Sequence, residues 1–410
     1  MRVFKVLTLL LLGFSSEAQQ LLPQSYDTLI DGHQVHLEGL GFFQTSHLRN
    51  EMSNIFLRGG YLSDEIKQNS RLAENQNGRI GGELSGEVVF KSGTPLSKSN
   101  ENQGWIAKIG YSNVFGAQYS KDAFDLMFFG NQSILGEEAT IANTSAFNLS
   151  FYKAGFGIYN RRNKNSIVLN ALFGGSYTGI DIDRGNLTFS EDGGEVEANL
   201  NMGIQQSISP AYFQGMGAAI DFELHAAIKD IPGISGVFQL SGRNLGVMYL
   251  SKVESYGVNS ELTYSGFTLN ELSDFANYSS SDFDTYIDSL GFSTSQFSGV
   301  RWVPGGTIQA GKIVEEGSEK VVQSFFGVRV LTNIIYRPMA FAGVHVTLND
   351  WLALGGQLTF GGYGGYRGGM YAQTEFNNIQ LGIGSEDVVG FLAQSTFGKS
   401  LLIRGVWRLD

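Results

Sequence analysis

Five histidines, His33, His36, His47, His225 and His345, are where general-base catalysis or metal binding could begin in this chain. His33 and His36 stand three apart, a spacing that turns them to opposite faces of an extended segment, so a metal pair there needs ligands from elsewhere. A hydrolase with serine two positions after its histidine base would place the nucleophile at 35, 38, 49, 227 or 347. Those positions hold Val35, Glu38, Arg49, Ala227 and Thr347. A catalytic triad assembled across strands is the one hydrolytic arrangement this count does not address. The run Val253 to Val300 carries seven acids and no Lys or Arg, and hard cations such as calcium take clustered carboxylates. It contains no D-x-[DN]-x-[DN]-G loop, so it reads as a solvated acidic loop, and Asp181-Ile182-Asp183 reads the same way. No phosphate-binding G-x-x-x-x-G-K-[ST] loop occurs, and the glycines of Gly361 to Gly369 lack the strand-to-helix setting of a dinucleotide site. No cysteine is present, which excludes thiolate zinc and disulfide frameworks. We therefore expect no enzyme, no metal and no cofactor.

The remaining charged residues fall into a pattern set by the backbone. In Arg79 to Lys91, Ile80, Leu84, Val88 and Phe90 occupy one parity, and Arg79, Glu83, Glu87 and Lys91 the other. Met216 to Lys229 alternates for fourteen residues, with Met216, Ile220, Phe222, Leu224 and Ile228 opposed to Asp221, Glu223, His225 and Lys229. Trp105 to Ser112 sets Trp105, Ile109 and Tyr111 against Lys108, and Leu401 to Asp410 sets Ile403 and Trp407 against Arg404 and Arg408. A period of two means strands, each with an apolar and an ionic face. Globular strands average about 5 to 6 residues and outer-membrane strands about 9 to 11, so the lengths point to a membrane barrel.

Composition agrees. Glycine, 54 of 410 residues, is abundant, proline numbers only 6, and 12% of residues are aromatic. Glycine bends barrel walls and makes room in a narrow lumen. The net charge of −11 argues against a nucleic-acid partner, which needs clustered Lys and Arg. Arg2 and Lys5 precede the apolar run Val6 to Phe14, and Ser16-Glu17-Ala18 supplies a cleavage site, so residues 1–18 read as a secretory signal cut between Ala18 and Gln19. No charge-free apolar stretch of 18 residues follows. An exported chain that crosses a membrane without such a helix must do so as a closed barrel.

The connections support hairpins of two kinds, a tight turn at Asn349-Asp350 and long polar loops at Ser92 to Gln103, Asp181 to Glu195 and Thr268 to Gly299. Trp105, Tyr111, Phe325, Trp351, Tyr363 and Trp407 fall near proposed strand ends, where aromatic girdles form. Two short helices are predicted. One covers Asp122 to Phe129 and stops at Gly130-Asn131; the other carries Phe283, Tyr286, Ile287 and Leu290 on one face. Both could plug the barrel mouth or tuck onto its rim. The competing architecture is a water-soluble β-sandwich, which also alternates.

The run Lys121-Asp122-Ala123-Phe124-Asp125-Leu126-Met127-Phe128-Phe129-Gly130-Asn131, with Gly136, resembles a pattern in an uncharacterised family of Bacteroidota outer-membrane β-barrels. Phe156-Gly157-Ile158, Asn244-Leu245-Gly246, Arg301-Trp302 and the closing strand follow in the same order. The resemblance implies location and fold only. The chain departs from common barrels by ending in Asp410, so recognition by the barrel-insertion machinery would rest on Trp407 and Leu409.

The expected protein is an all-β, single transmembrane antiparallel barrel of about 14–16 strands with short loop or plug helices, formed by residues 19–410. Its lumen is expected to be lined by Arg79, Glu83, Glu87, Lys108, Asp221, Glu223, His225, Lys229, Arg404 and Arg408. Mixed charge signs there predict a cross-braced, narrow or plugged interior. Passage of a small or hydrophobic solute across the outer membrane is the expected role. The alternative is a non-catalytic scaffold for a secretion or cell-surface machine, with a barrel hydrolase last. Outer-membrane lipid and the insertion machinery are the expected partners.

Overall fold

The computed structural model describes residues 32–98, 100–207, 215–228, 236–264, 293–315 and 320–409. Seventeen strand segments form one antiparallel sheet. They are β1 (His33–Thr45), β2 (Asn77–Lys91), β3 (Gln103–Ser120), β4 (Glu138–Thr140), β5 (Thr144–Asn160), β6 (Ser166–Phe189), β7 (Val196–Ser207), β8 (Gly215–Ile228), β9 (Gly236–Tyr264), β10 (Ser293–Trp302), β11 (Thr307–Lys312), β12 (Val322–Leu331), β13 (Arg337–Asn349), β14 (Leu352–Gly362), β15 (Tyr366–Phe376), β16 (Ile379–Ser385) and β17 (Gly398–Leu409). β1 pairs with both β2 and β17, so the sheet closes on itself. β7 and β8 share one position between β6 and β9; β10 and β11 share the next, and the three-residue β4 only extends the rim beside β6. The closed wall therefore counts 14 strands, within the expected range.

The wall is inside out relative to a soluble protein. Leu84, Ile109, Phe156, Leu169 and Met216 point outward and are 42 to 65% exposed, while Glu87, Lys108, Lys153, Asn170 and Asp221, on the opposite parity, are at most 6% exposed. A sandwich would bury the first set and expose the second, so that alternative is excluded. No described helix is long and apolar enough to cross a membrane, and the strands do the crossing.

The start of β1 at His33 and the end of β17 at Leu409 lie at one end of the barrel, together with the short turns 161–165, 350–351 and 377–378 and the connection 92–102. The opposite end carries the long connections 46–76 and 121–143. Short turns face the periplasm and long loops the exterior in bacterial barrels. On the terminus end Phe90, Trp105 and Phe156 form a row of rings 5.0 and 6.0 Å apart, and Trp351 stacks on Phe376 at 5.9 Å. That is an aromatic girdle.

Several expectations need correction. Phe325 and Tyr363 belong to no girdle; both are buried in the interior, in one cluster with Leu40, Phe42, Phe341 and Leu402. Tyr111 lies mid-wall against Tyr152. The loop expected over Asp181 to Glu195 is only 190–195, because the preceding residues continue β6 and pair with β7. The tight turn is Asp350-Trp351, one residue later than predicted. The helix at Lys121–Phe129 forms, capped by the Ser120 hydroxyl accepting from the Ala123 N–H and ended by Gly130 at φ 75°. It lies on the outer face of the rim and plugs nothing. Three helices, Asn50–Arg58, Asp64–Asn69 and the single turn Val389–Leu392, escaped the sequence reading. The second expected helix, Phe283 to Leu290, Lys229 and the signal cleavage site at Ala18 and Gln19 lie outside the described residues.

Candidate functional site

The lumen holds two ionic chains at its terminus end. In the first, Lys153 on β5 meets Glu87 on β2 at 2.5 Å, Glu87 meets Lys108 on β3 at 3.5 Å, and Lys108 bonds Asp221 on β8. β3 and β8 are three strand positions apart in the wall, about 14 Å at the usual ~4.8 Å spacing. Lys108 must therefore cross the interior to reach Asp221. Gly155, on the intervening β5, lets it do so: a Cβ there would lie 3.0 Å from the Lys108 Cγ and 2.2 Å from the Asn170 Oδ1. The second chain runs from Arg404 on β17 to Glu38 on β1 at 3.0 Å, and from Glu38 through Arg243 on β9 to Glu223 on β8 at 4.0 and 3.3 Å. Each chain has two cations and two anions, so burial is matched by internal neutralisation.

A β-bulge in β9 joins the two. The register of β8 on β9 shifts between Ile220 and Phe222. Asn244 adopts φ 51°, in the left-handed region that asparagine tolerates. Arg243 and Asn244 then both serve the interior in succession. The Asn244 N–H donates to Asp221 at 2.6 Å, and its side-chain oxygen accepts from Lys153 at 3.1 Å.

Between these chains and the terminus end lies a cavity of about 100 Å³, lined in part by His36, Glu38, Glu223, His225 and Arg404. It has room for several waters and polar groups to hold them.

The loop end is closed by apolar and hydrogen-bonded segments. Tyr363, between β14 and β15, is fully buried against the far wall, where a Cβ on Gly81 would come within 2.2 Å of its ring. Residues 303–306, between β10 and β11, fold inward until Gly305 faces Val114 of β3. The Asn333 amide ties both pieces, donating to the Pro304 carbonyl at 2.9 Å and the Tyr363 hydroxyl at 3.3 Å. Below them Arg329 pairs with Glu386 at 3.0 Å, both almost fully buried. In the loops, burial pushes the Tyr336 hydroxyl up to about 12. Burial likewise raises the Asp387 carboxyl, although it accepts from the Gly390 N–H at 2.9 Å.

Of the ten residues predicted to line the lumen, Glu87, Lys108, Asp221, Glu223, His225 and Arg404 converge on the cavity. Arg408 instead pairs with Glu375 at 2.6 Å toward the terminus rim, and Glu83 accepts from Ser85 on its own strand. Arg79, on the same parity, lies near the loop end, where its N–H donates to Ser46 at 2.9 Å. Glu38, Lys153, Arg243, Asn244, Arg329 and Glu386 escaped the sequence reading. A solitary lysine between aromatic and small residues, as in Phe151-Tyr152-Lys153-Ala154-Gly155, was the available signal for one of them. Among the described residues no group of three or more His, Asp and Glu side chains is placed to hold a metal.

The architecture and its ionic interior define a transmembrane β-barrel of the outer-membrane class. No known protein family and no curated protein matches the chain. Among solved structures it is similar to the translocator domain of the autotransporter NalP from Neisseria meningitidis, with 10% identity, 100% of this chain and 95% of that chain covered, and a TM-score of 0.28. It is also similar to the toluene transporter TodX of P. putida, with 9% identity, 92% and 88% covered, and a TM-score of 0.37. The transport unit of the autotransporter AIDA-I from Escherichia coli gives 10% identity, 98% and 97% covered, and a TM-score of 0.28. Likeness of this degree transfers no residue role.

Proposed function

We propose that this barrel passes a small or hydrophobic solute across the outer membrane through a lumen that is plugged at rest. The observation that carries the reading is the division of the interior: an aromatic cluster at the loop end around Tyr363 and Phe341, whose ion pair, Arg329 with Glu386, lies against the Phe341 ring, and two linked ionic chains beside a cavity at the terminus end. An apolar solute entering among the rings would be desolvated before it met the two ionic chains. Tyr363 is held by packing and by the Asn333 amide at 3.3 Å, so its displacement breaks no backbone bond of the wall, whereas residues 303–306 are also tied by backbone bonds, from the Val303 N–H to the Gly246 carbonyl at 3.0 Å and from the Thr332 N–H to the Gly306 carbonyl at 2.7 Å. The test is uptake by liposomes carrying the purified protein, using monoaromatic and short aliphatic solutes beside sugars. Faster entry of apolar solutes than in protein-free vesicles supports passage; uptake equal to empty vesicles for every solute refutes it.

A second reading, a scaffold for a secretion or surface machine, is favoured by one feature. β6 and β9 run 24 and 29 residues, and their upper parts pair with β7 and β10 as a sheet projecting past the rim. A silent barrel that co-purifies with a stoichiometric partner would support this reading over passage.

A further inference from the structure

The helices α1 (Asn50–Arg58), α2 (Asp64–Asn69) and α3 (Lys121–Phe129) form a collar on the outside of the wall. Their core, Leu48, Met52, Leu72 and Phe124, packs against Ile80 of β2 and Tyr119 of β3, which share the outward parity of Leu84 and Ile109. The collar is pinned by Asp125, 1% exposed, which accepts from Arg71 at 2.8 and 2.7 Å and meets Lys121 at 3.1 Å.

The collar buries only part of its apolar surface. α1 buries Met52 together with Asn50 and Ser53, and the Asn50 amide donates to the Gly390 and Gly398 carbonyls at 3.0 and 2.8 Å. It turns Phe56 and Leu57 outward, 58 and 75% exposed, beside Tyr61 at 86% and Met127 of α3 at 76%. Phe56 touches Phe128 at 5.9 Å, which makes the patch continuous across the two helices. A helix whose outer side faces water would carry polar residues at these positions.

Its height fixes what covers it. From the girdle residue Phe90 to Ile80 is ten residues of β2, about 33 Å along the strand and roughly 25 Å along the axis at a tilt of ~40°. An outer-membrane apolar band is about 25 Å tall. The collar therefore sits where the loop-side lipid boundary must fall, continuous with the apolar outer rows of the strands. We propose that α1 and α3 are interfacial helices, with Phe56, Leu57, Tyr61 and Met127 seated among the acyl chains of the outer leaflet.

The chain has no cysteine, so single sites can be spin-labelled without background. Leu57→Cys and Met127→Cys would be compared in proteoliposomes with Leu84→Cys on the wall and Glu65→Cys on the exposed side of α2. Each variant is first checked for the heat-modifiable mobility of a folded barrel. Collision rates with oxygen and with a water-soluble nickel chelate are then read. The proposal expects labels at 57 and 127 to match position 84, with an oxygen-to-nickel ratio several-fold above that at position 65. A ratio like that at position 65 overturns it. Shielding from both reagents, with an oligomer on sizing, also overturns it and assigns the patch to a second copy of this chain.

Discussion

Replacing Glu87 by Gln should destabilise the folded barrel by about 3 kcal/mol. Glu87 is 2% exposed and stands between two cations, Lys153 at 2.5 Å and Lys108 at 3.5 Å, themselves 2 and 4% exposed. Breaking a buried pair by neutralising one partner typically costs about 3–5 kcal/mol, because the other charge stays buried without compensation. Two features place this case at the low end. Lys108 keeps Asp221 and borders the cavity, where water can solvate it, and Lys153 keeps the Asn244 oxygen at 3.1 Å. A loss of about 3 kcal/mol is roughly a hundredfold in the folding equilibrium. Urea titration in lipid vesicles, followed by heat-modifiable mobility, measures it. The double variant Glu87→Gln with Lys153→Met should recover at least half the loss, since the uncompensated ammonium is then gone. If the single variant costs less than about 0.5 kcal/mol, the range of an ordinary surface change, the lumen is hydrated at this point and the bracing argument fails.

Tyr363→Ala removes a fully buried ring from the plug and should cost about 3–5 kcal/mol. It should also raise single-channel conductance in planar bilayers, and Gly81→Val, which drives a side chain into the space of the same ring, should do likewise. Asn244→Val forces a β-branched residue to a φ of 51° and removes the acceptor for Lys153, so a loss of about 2 kcal/mol or more is expected in the same urea titration. At Asp125 burial raises the carboxyl, but the bonds from Arg71 and Lys121 outweigh it and hold the group below the usual carboxylate range. Its contribution to the collar is therefore complete above the unfolded carboxyl value of about 3.9 and is lost as pH falls through the folded one. A nitroxide at Leu57→Cys should gain mobility on acidification below that value, and Asp125→Asn should mobilise it already at pH 7.

The alternation of β2, β3, β8 and β17 was legible because a wall between lipid and an ionic lumen demands it residue by residue. Position 108 is charged for the same reason that 109 is isoleucine. The parity failed to reach the residues that the fold brings in by other means. Arg243 and Asn244 are adjacent, and only a bulge lets both face inward, so no period of two can find them. Phe325 and Tyr363 look like girdle residues, since an aromatic near a strand end has the same local sequence whether it turns to lipid or into the lumen. What decides is a glycine elsewhere in the wall: Gly343, the cross-strand partner on the neighbouring strand, leaves space for Phe325, and Gly81 on the far side leaves space for Tyr363. Helix α1 has no clean apolar stripe to read, because it buries Asn50 and Ser53 beside Met52 and leaves Phe56 and Leu57 exposed.

Glycine and charge solve one problem together in this lumen. A barrel of 14 strands encloses more volume than its inward side chains fill by pointing straight in, and an open interior would leave buried charges dependent on water. Lys108 avoids both by lying flat over Gly155 and ending on an acid three strands away, so one side chain spans space and finds its counter-ion. Tyr363 over Gly81 does the apolar equivalent. The pairing makes an asymmetric demand on substitution: Gly155→Ala should disturb the lattice through Lys108 and Asn170 even though no charge changes. Lys108→Met, which keeps the length of the stem, should leave Gly155 needed and Asp221 uncompensated. If Gly155→Ala were neutral while Lys108→Met was not, the lysine would be reaching Asp221 by another route, and the glycine would be there only to bend the wall.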